Sequence, residues 1–142
     1  MANQVMVVRD VTFNWAKLVD KHSPFGTLEW DVQVVTDNEA TKAQLESSGI
    51  KMKSGENKTW YANIKRKAVK ANGEEQDPPK VIDLDKEEMA PSKIKNMGNG
   101  TKGHIKLFSY DWNVGGKSGV SAMLVALQVT DYVAYEGAGE DF

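Results

Sequence analysis

The sequence predicts an all-β domain with one short helix, its strands curled into a small barrel. Three observations carry this expectation. Apolar residues alternate with polar ones in several separate segments, the period of a half-buried strand. One segment alone has helical spacing with a start and a stop signal. Turn-forming clusters of Gly, Asn, Asp and Pro separate the runs. The 142 residues amount to one domain, large enough to bury a core without staples. With no cysteine in the chain, disulfides, zinc knuckles and thiol nucleophiles are excluded.

The elements follow in order. In residues 5–15, Val5, Val7, Arg9, Val11, Phe13 and Trp15 fall on one side, with Asp10, Thr12 and Asn14 on the other, which predicts a strand. His22 to Gly26 reads as a loop. Leu28, Trp30, Val32 and Val34 alternate with Glu29, Asp31 and Gln33 and predict a second strand. Thr36-Asp37-Asn38 can cap a short helix, and Ala40, Ala43, Leu45 and the closing Gly49 fit one of about three turns. A third strand is expected over 59–70, a short one at Val81–Leu84, and an irregular stretch from Asp85 to Met97 interrupted by Pro91. A strong strand from Gly103 to Trp112, a glycine-rich loop from Asn113 to Gly119 and a last strand from Val120 to Tyr135 complete the domain, 1–135. Residues 136–142 read as a flexible acidic tail ending in Phe.

Net charge is −2, which on its own argues against a nucleic-acid partner. Its distribution argues the other way. Residues 51–70 carry seven Lys or Arg and one acid, and 92–119 carry five Lys and one acid. Between them, 71–91 carry two Lys and seven acids, and 120–142 carry four acids and no Lys or Arg. Blocks of alternating sign suggest a basic binding face beside acidic segments; chance clustering in a Lys-rich protein is the alternative.

The strand 103–112 is the most informative. Ile105 and Leu107 point one way, into a core; Lys106, Phe108, Tyr110 and Trp112 point the other way. Rings in a row with cations are what single-stranded nucleic acid needs. Every base has a π-face, so stacking tolerates any sequence, and lysines meet the phosphates. The alternative is that these aromatics are themselves core. In 59–70, Trp60, Ala62 and Ile64 form a core face, with Tyr61, Asn63, Lys65, Lys67 and Val69 opposite. An ordinary solvated edge is the competing reading there. Lys102 and Lys117 lie beside glycines, where backbone can approach a phosphate. Arg9 is either a phosphate contact or an edge or paired arginine.

Catalysis finds little support. Gly116-Lys117-Ser118 ends like a phosphate-binding P-loop, but the position needing the first glycine holds Asp111. The two histidines, His22 and His104, lack metal-ligand spacing, and no hydrolase signature is present. No enzyme activity, cofactor or metal is expected. No apolar run is long enough to cross a membrane, and the N-terminus has no signal-peptide pattern.

With these residues in view, the chain resembles the single-stranded DNA-binding proteins of short-tailed bacteriophages, which have an OB fold. The resemblance is densest at Gly98-Asn99-Gly100-Thr101-Lys102, Phe108-Ser109-Tyr110-Asp111-Trp112 and Gly116 to Ser121, continuing into Leu127-Gln128-Val129. Weaker matches lie around Arg9, at Val81-Ile82-Asp83 and at Asp141-Phe142. It implies a five-stranded OB-fold β-barrel that binds and protects single-stranded DNA in the host cytoplasm during replication and recombination. It implies that Tyr110 and Trp112 stack bases, and that Lys102, Lys106 and the basic residues of 59–70 meet phosphates. It further implies that the tail, with Glu140, Asp141 and Phe142, competes with DNA and docks replication proteins such as the polymerase or helicase/primase. Some relatives dimerise by exchanging longer acidic tails. This tail holds only Glu136, Glu140 and Asp141, so a homodimer stays an open alternative. Two other readings remain at this point: a protein-interaction or structural phage module on the same barrel, and an RNA-binding OB module.

Overall fold

The computed structural model describes residues 3–22, 28–70 and 72–134. Seven strands form one sheet: β1 (Gln4–His22), β2 (Glu29–Thr36), β3 (Lys53–Ser54), β4 (Trp60–Lys67), β5 (Lys80–Ile82), β6 (Thr101–Val114) and β7 (Lys117–Asp131). Two helices, α1 (Glu39–Ser47) and α2 (Pro91–Lys95), accompany it. The spatial order is β3-β4-β2-β1-β6-β7-β5, antiparallel throughout except for β5 against β7.

The all-β class stands, but the five-stranded barrel is corrected to an unclosed seven-stranded sheet with two helices. Two short strands, β3 and β5, extend the sheet at its edges, and β5 occupies the outer edge of β7 at Ala126–Gln128. The sheet curls until β4 meets β7, yet no ladder joins them among the described strands. The seam is spanned instead by Arg66. Its Nε donates to the Asp77 carbonyl at 2.7 Å, and a terminal nitrogen donates to the Leu124 carbonyl at 3.3 Å and contacts the Met123 sulfur at 3.7 Å. Burial lowers the Arg66 pKa from its ordinary value, with Asp77 partly offsetting the effect.

The core is the inner face of this curl. Val32 and Val34 of β2, Ile64 of β4, Ile105 and Leu107 of β6 and Leu124 and Leu127 of β7 are all buried. Those of β2, β4 and β6 occupy the positions that alternation assigns to them, whereas Leu124 and Leu127 both face inward because the β6–β7 register slips between Lys106 and Leu107. In β1 the alternation changes phase. Asp10 has φ of 60° and the β1–β6 register slips between Val8 and Val11. A bulge thus turns both Val8 and Val11 inward. Val5 and Val7, grouped with Val11 by strict alternation, are exposed. A second slip, between Asn14 and Lys17, and a φ of 51° at Trp15 turn that indole to solvent, 61% exposed. Trp15 is therefore no core residue; Leu18 takes the buried position beyond it.

Asn38 caps α1 by accepting from the Thr41 backbone N–H at 3.0 Å. Only Leu45 of that helix is buried, while Ala40 and Ala43 face solvent. Pro91 does not interrupt an irregular stretch but starts α2, where its missing N–H costs nothing. The expected loop 113–119 is also shorter. β6 and β7 continue to Val114 and Lys117, leaving only Gly115 and Gly116 as the turn. Both have positive φ, 58° and 82°, as a tight hairpin turn requires.

Candidate nucleic-acid interface

The β6–β7 hairpin displays the aromatic row. Directly opposed residues of an antiparallel pair share a face. Phe108 therefore stands with Met123, Tyr110 with Ser121, Trp112 with Gly119 and Val114 with Lys117. On the reverse face Ile105, Leu107 and Ser109 are buried, while Lys106 is exposed and Phe108 and Tyr110 are half-buried. The alternative in which the rings form the core is thereby settled for this strand. The Phe108 and Tyr110 rings stack, with centroids 6.0 Å apart and planes 20° apart. The Trp112 indole, 37% exposed, lies across Gly119. A Cβ at Gly119 would fall 2.6 Å from that ring, so the glycine makes the flat seat.

The curl brings β4 beside this row. Tyr110, Ala122 and Met123 line one wall of a cavity of about 240 Å³, and Lys65, Lys67, Lys70 and Gln76 line the other. Next to it, a cavity of about 260 Å³ is lined by Tyr61, Asn63 and Lys65 of β4, by Lys51 and Lys53, and by Ser121 and Ala122. The two share Lys65 and Ala122 and so form one groove. Two tyrosines and five lysines line it. Two contacts hold its far wall in place. Ser109 donates to the Ser48 carbonyl at 2.8 Å, and the backbone of Gly49 lies against Val120 and Ser121 so closely that no Cβ fits.

The lysines are weakly engaged. Lys65 lies 3.9 Å from the buried Glu29 carboxylate and is itself largely exposed, a pairing of little strength. The groove therefore presents cations with side chains able to reach a ligand, beside two half-buried tyrosine rings. That is the chemistry of a polyanion whose monomers carry flat aromatic groups.

Other residues singled out from the sequence fall elsewhere. Lys117 stands on the aromatic face at the hairpin tip, opposite Val114. Lys106 and Arg9 line a separate cavity on the outer face of β1, β6 and β7. Lys102 sits in a third cavity with Asp10, Asp37 and Asp131, across the sheet from Tyr61 through Thr12 and Val35. Its loop setting is corrected as well, since it lies within β6. Glu140, Asp141 and Phe142 lie outside the described residues. Lys51, Lys53, Lys70 and Met123 are groove residues that reading by individual motifs missed. The signal for the lysines was the charge block 51–70; Met123 had none.

Among the described residues no cluster of three or more His, Cys, Asp or Glu could hold a metal ion, and no helix is long and apolar enough to cross a membrane.

The curled sheet with its basic, aromatic groove has the fold of bacteriophage single-stranded DNA-binding proteins of known structure. The protein from phage Enc34 in complex with ssDNA superposes with a TM-score of 0.68 at 12% identity, over 94% of this chain and 89% of that one. Phage T7 gp2.5, a single-stranded DNA binding protein, gives 0.65 at 15% identity, over 99% of this chain and 93% of that one. No protein-family model and no curated protein sequence matches the chain. The resemblance drawn from ordered motifs thus finds its counterpart in shape.

Proposed function

We propose that the chain binds single-stranded DNA without sequence preference and protects it during phage replication or recombination. One observation carries this reading: Tyr61 and Tyr110 share a continuous groove with Lys51, Lys53, Lys65, Lys67 and Lys70. Bases stack on the tyrosines and on Trp112, Phe108 buttresses Tyr110, and the lysines take the phosphates. Stacking and phosphate contacts discriminate little between bases, which is why the binding is indifferent to sequence. Arg9, Lys102, Lys106 and Lys117 belong to the same reading as outlying phosphate contacts. So does docking of replication proteins on the tail, with the host cytoplasm as the site of action. The fold shared with proteins that bind ssDNA supports the proposal.

The test is a titration with oligo-dT, duplex DNA and oligo-rU at two salt concentrations. Oligo-dT is expected to bind most tightly, with affinity falling steeply as salt rises. Tyr110→Ala is expected to weaken it about 5- to 150-fold, the equivalent of about 1–3 kcal/mol for one stacked base. Unchanged binding in that variant removes the stacking argument, and a preference for oligo-rU makes the protein an RNA binder.

A further inference from the structure

Outside that groove, the outer face of the sheet carries a second cationic cavity of about 380 Å³. Four cations from four different segments surround it: Arg9 of β1, Lys80 of β5, Lys106 of β6, and Lys86 in the turn after β5. Val7 and Ile82 form part of its floor. The register explains the convergence. Val7 pairs with Lys106, Lys106 with Ala126 and Ala126 with Lys80, so the two lysines lie two strand spacings apart, about 10 Å, on one face. Lys86 is presented by a left-handed turn, φ 63°, that Asp83 clamps. The Asp83 carboxylate accepts from the backbone of Asp85 at 2.8 Å and of Glu87 at 3.0 Å. None of the four cations lies within 4.0 Å of a described carboxylate. Asp85, Glu87 and Glu88 belong to this turn and Glu88 bridges Ile82, yet none of the three carboxylates comes within 4.0 Å of the four cations.

The two cationic cavities are joined by a single row of side chains. Lys106, Phe108 and Tyr110 are alternate residues on one face of β6, covering about 13 Å. Lys106 belongs to the second cavity and Tyr110 to the groove. The stacked Phe108 and Tyr110 rings pave the interval.

We propose that this cavity is a second phosphate-binding site for the same DNA strand, which leaves the groove at Tyr110, passes over Phe108 and ends among Arg9, Lys80, Lys86 and Lys106. The inference rests on the single-stranded DNA reading and adds a direction and a length to it. A short oligonucleotide fills the groove alone; a longer one reaches both sites.

The experiment measures fluorescence anisotropy of labelled dT6 and dT20 across a salt series, for the parent and for Lys80→Ser/Lys86→Ser. Each phosphate contact on a single strand contributes about 0.7 to the slope of log K against log salt. Losing two contacts is expected to lower the dT20 slope by about 1.4 and the affinity at 0.1 M salt by roughly 25-fold. Binding of dT6 is expected to stay unchanged. Lys80→Arg/Lys86→Arg, which keeps charge and surface, is expected to restore the dT20 slope. An unaltered dT20 slope in the serine variant overturns the proposal, as does an equal loss for dT6 and dT20. If the parent binds neither oligonucleotide, the fault lies with the single-stranded DNA reading itself.

Discussion

Replacing Arg66 by Met tests how the groove is held together. The substitution keeps an unbranched stem and removes the guanidinium that spans the seam between β4 and β7. Two hydrogen bonds disappear, to the Asp77 carbonyl at 2.7 Å and the Leu124 carbonyl at 3.3 Å. Hydrogen bonds from a charged donor contribute about 1.5–3 kcal/mol each. Asp77 is exposed, so water replaces most of the first bond, and the second is long. Relief of guanidinium desolvation, the same burial that lowers its pKa, returns some of the remainder. The net loss works out at about 2 kcal/mol, or about 7 °C in Tm for a domain of this size. Urea unfolding followed by tryptophan fluorescence measures it. Arg66→Lys should recover less than half, because one ammonium cannot serve both carbonyls in a forked arrangement. Lys65 and Lys67 flank Arg66 on the opposite face of β4, so Arg66→Met should also weaken oligo-dT binding although Arg66 does not line the groove. An unchanged unfolding midpoint in Arg66→Met would refute the account of the seam.

Gly103→Ala should be severely destabilising, because the new Cβ would lie 2.0 Å from the Gln128 carbonyl oxygen and 3.0 Å from the Phe13 ring. A loss of about 1–3 kcal/mol or more is expected, as for overpacked cores, and thermal unfolding by circular dichroism reads it. Asn38→Ala removes the α1 cap and should cost about 1 kcal/mol in urea unfolding. Its binding of oligo-dT should match the parent, since α1 contributes no side chain to the groove.

Much of the groove was legible because strands report their faces residue by residue. The alternation Ile105–Leu107 against Lys106–Phe108–Tyr110–Trp112 separated the core from the outward face, and Ala62–Ile64 against Tyr61–Asn63–Lys65–Lys67 did so again. The misplaced faces of Val5 and Val7 have one cause. A bulge at Asp10 adds a residue to β1, and everything before it changes side. Such a bulge depends on the partner strand, so local periodicity carries no trace of it. The juxtaposition of β4 with the β6–β7 hairpin was equally hidden, because it arises from the curl of the whole sheet and not from any short window. The lysines at 51, 53 and 70 were visible only as a charge block until that curl gave them a common address.

The Gly115-Gly116 turn has a mechanical consequence. Among the described residues the β1 ladder starts at Gln4, opposite Ser109, and beyond it Asn3 still accepts from the Asp111 backbone N–H at 3.1 Å. From Trp112 to Gly119 the two strands hold chiefly to each other, with Val114 71% exposed near the end. None of residues 112–119 is buried, so this segment lies beyond the packed interior. Amide protons near the tip should exchange with solvent far sooner than those of Ile105 and Leu107.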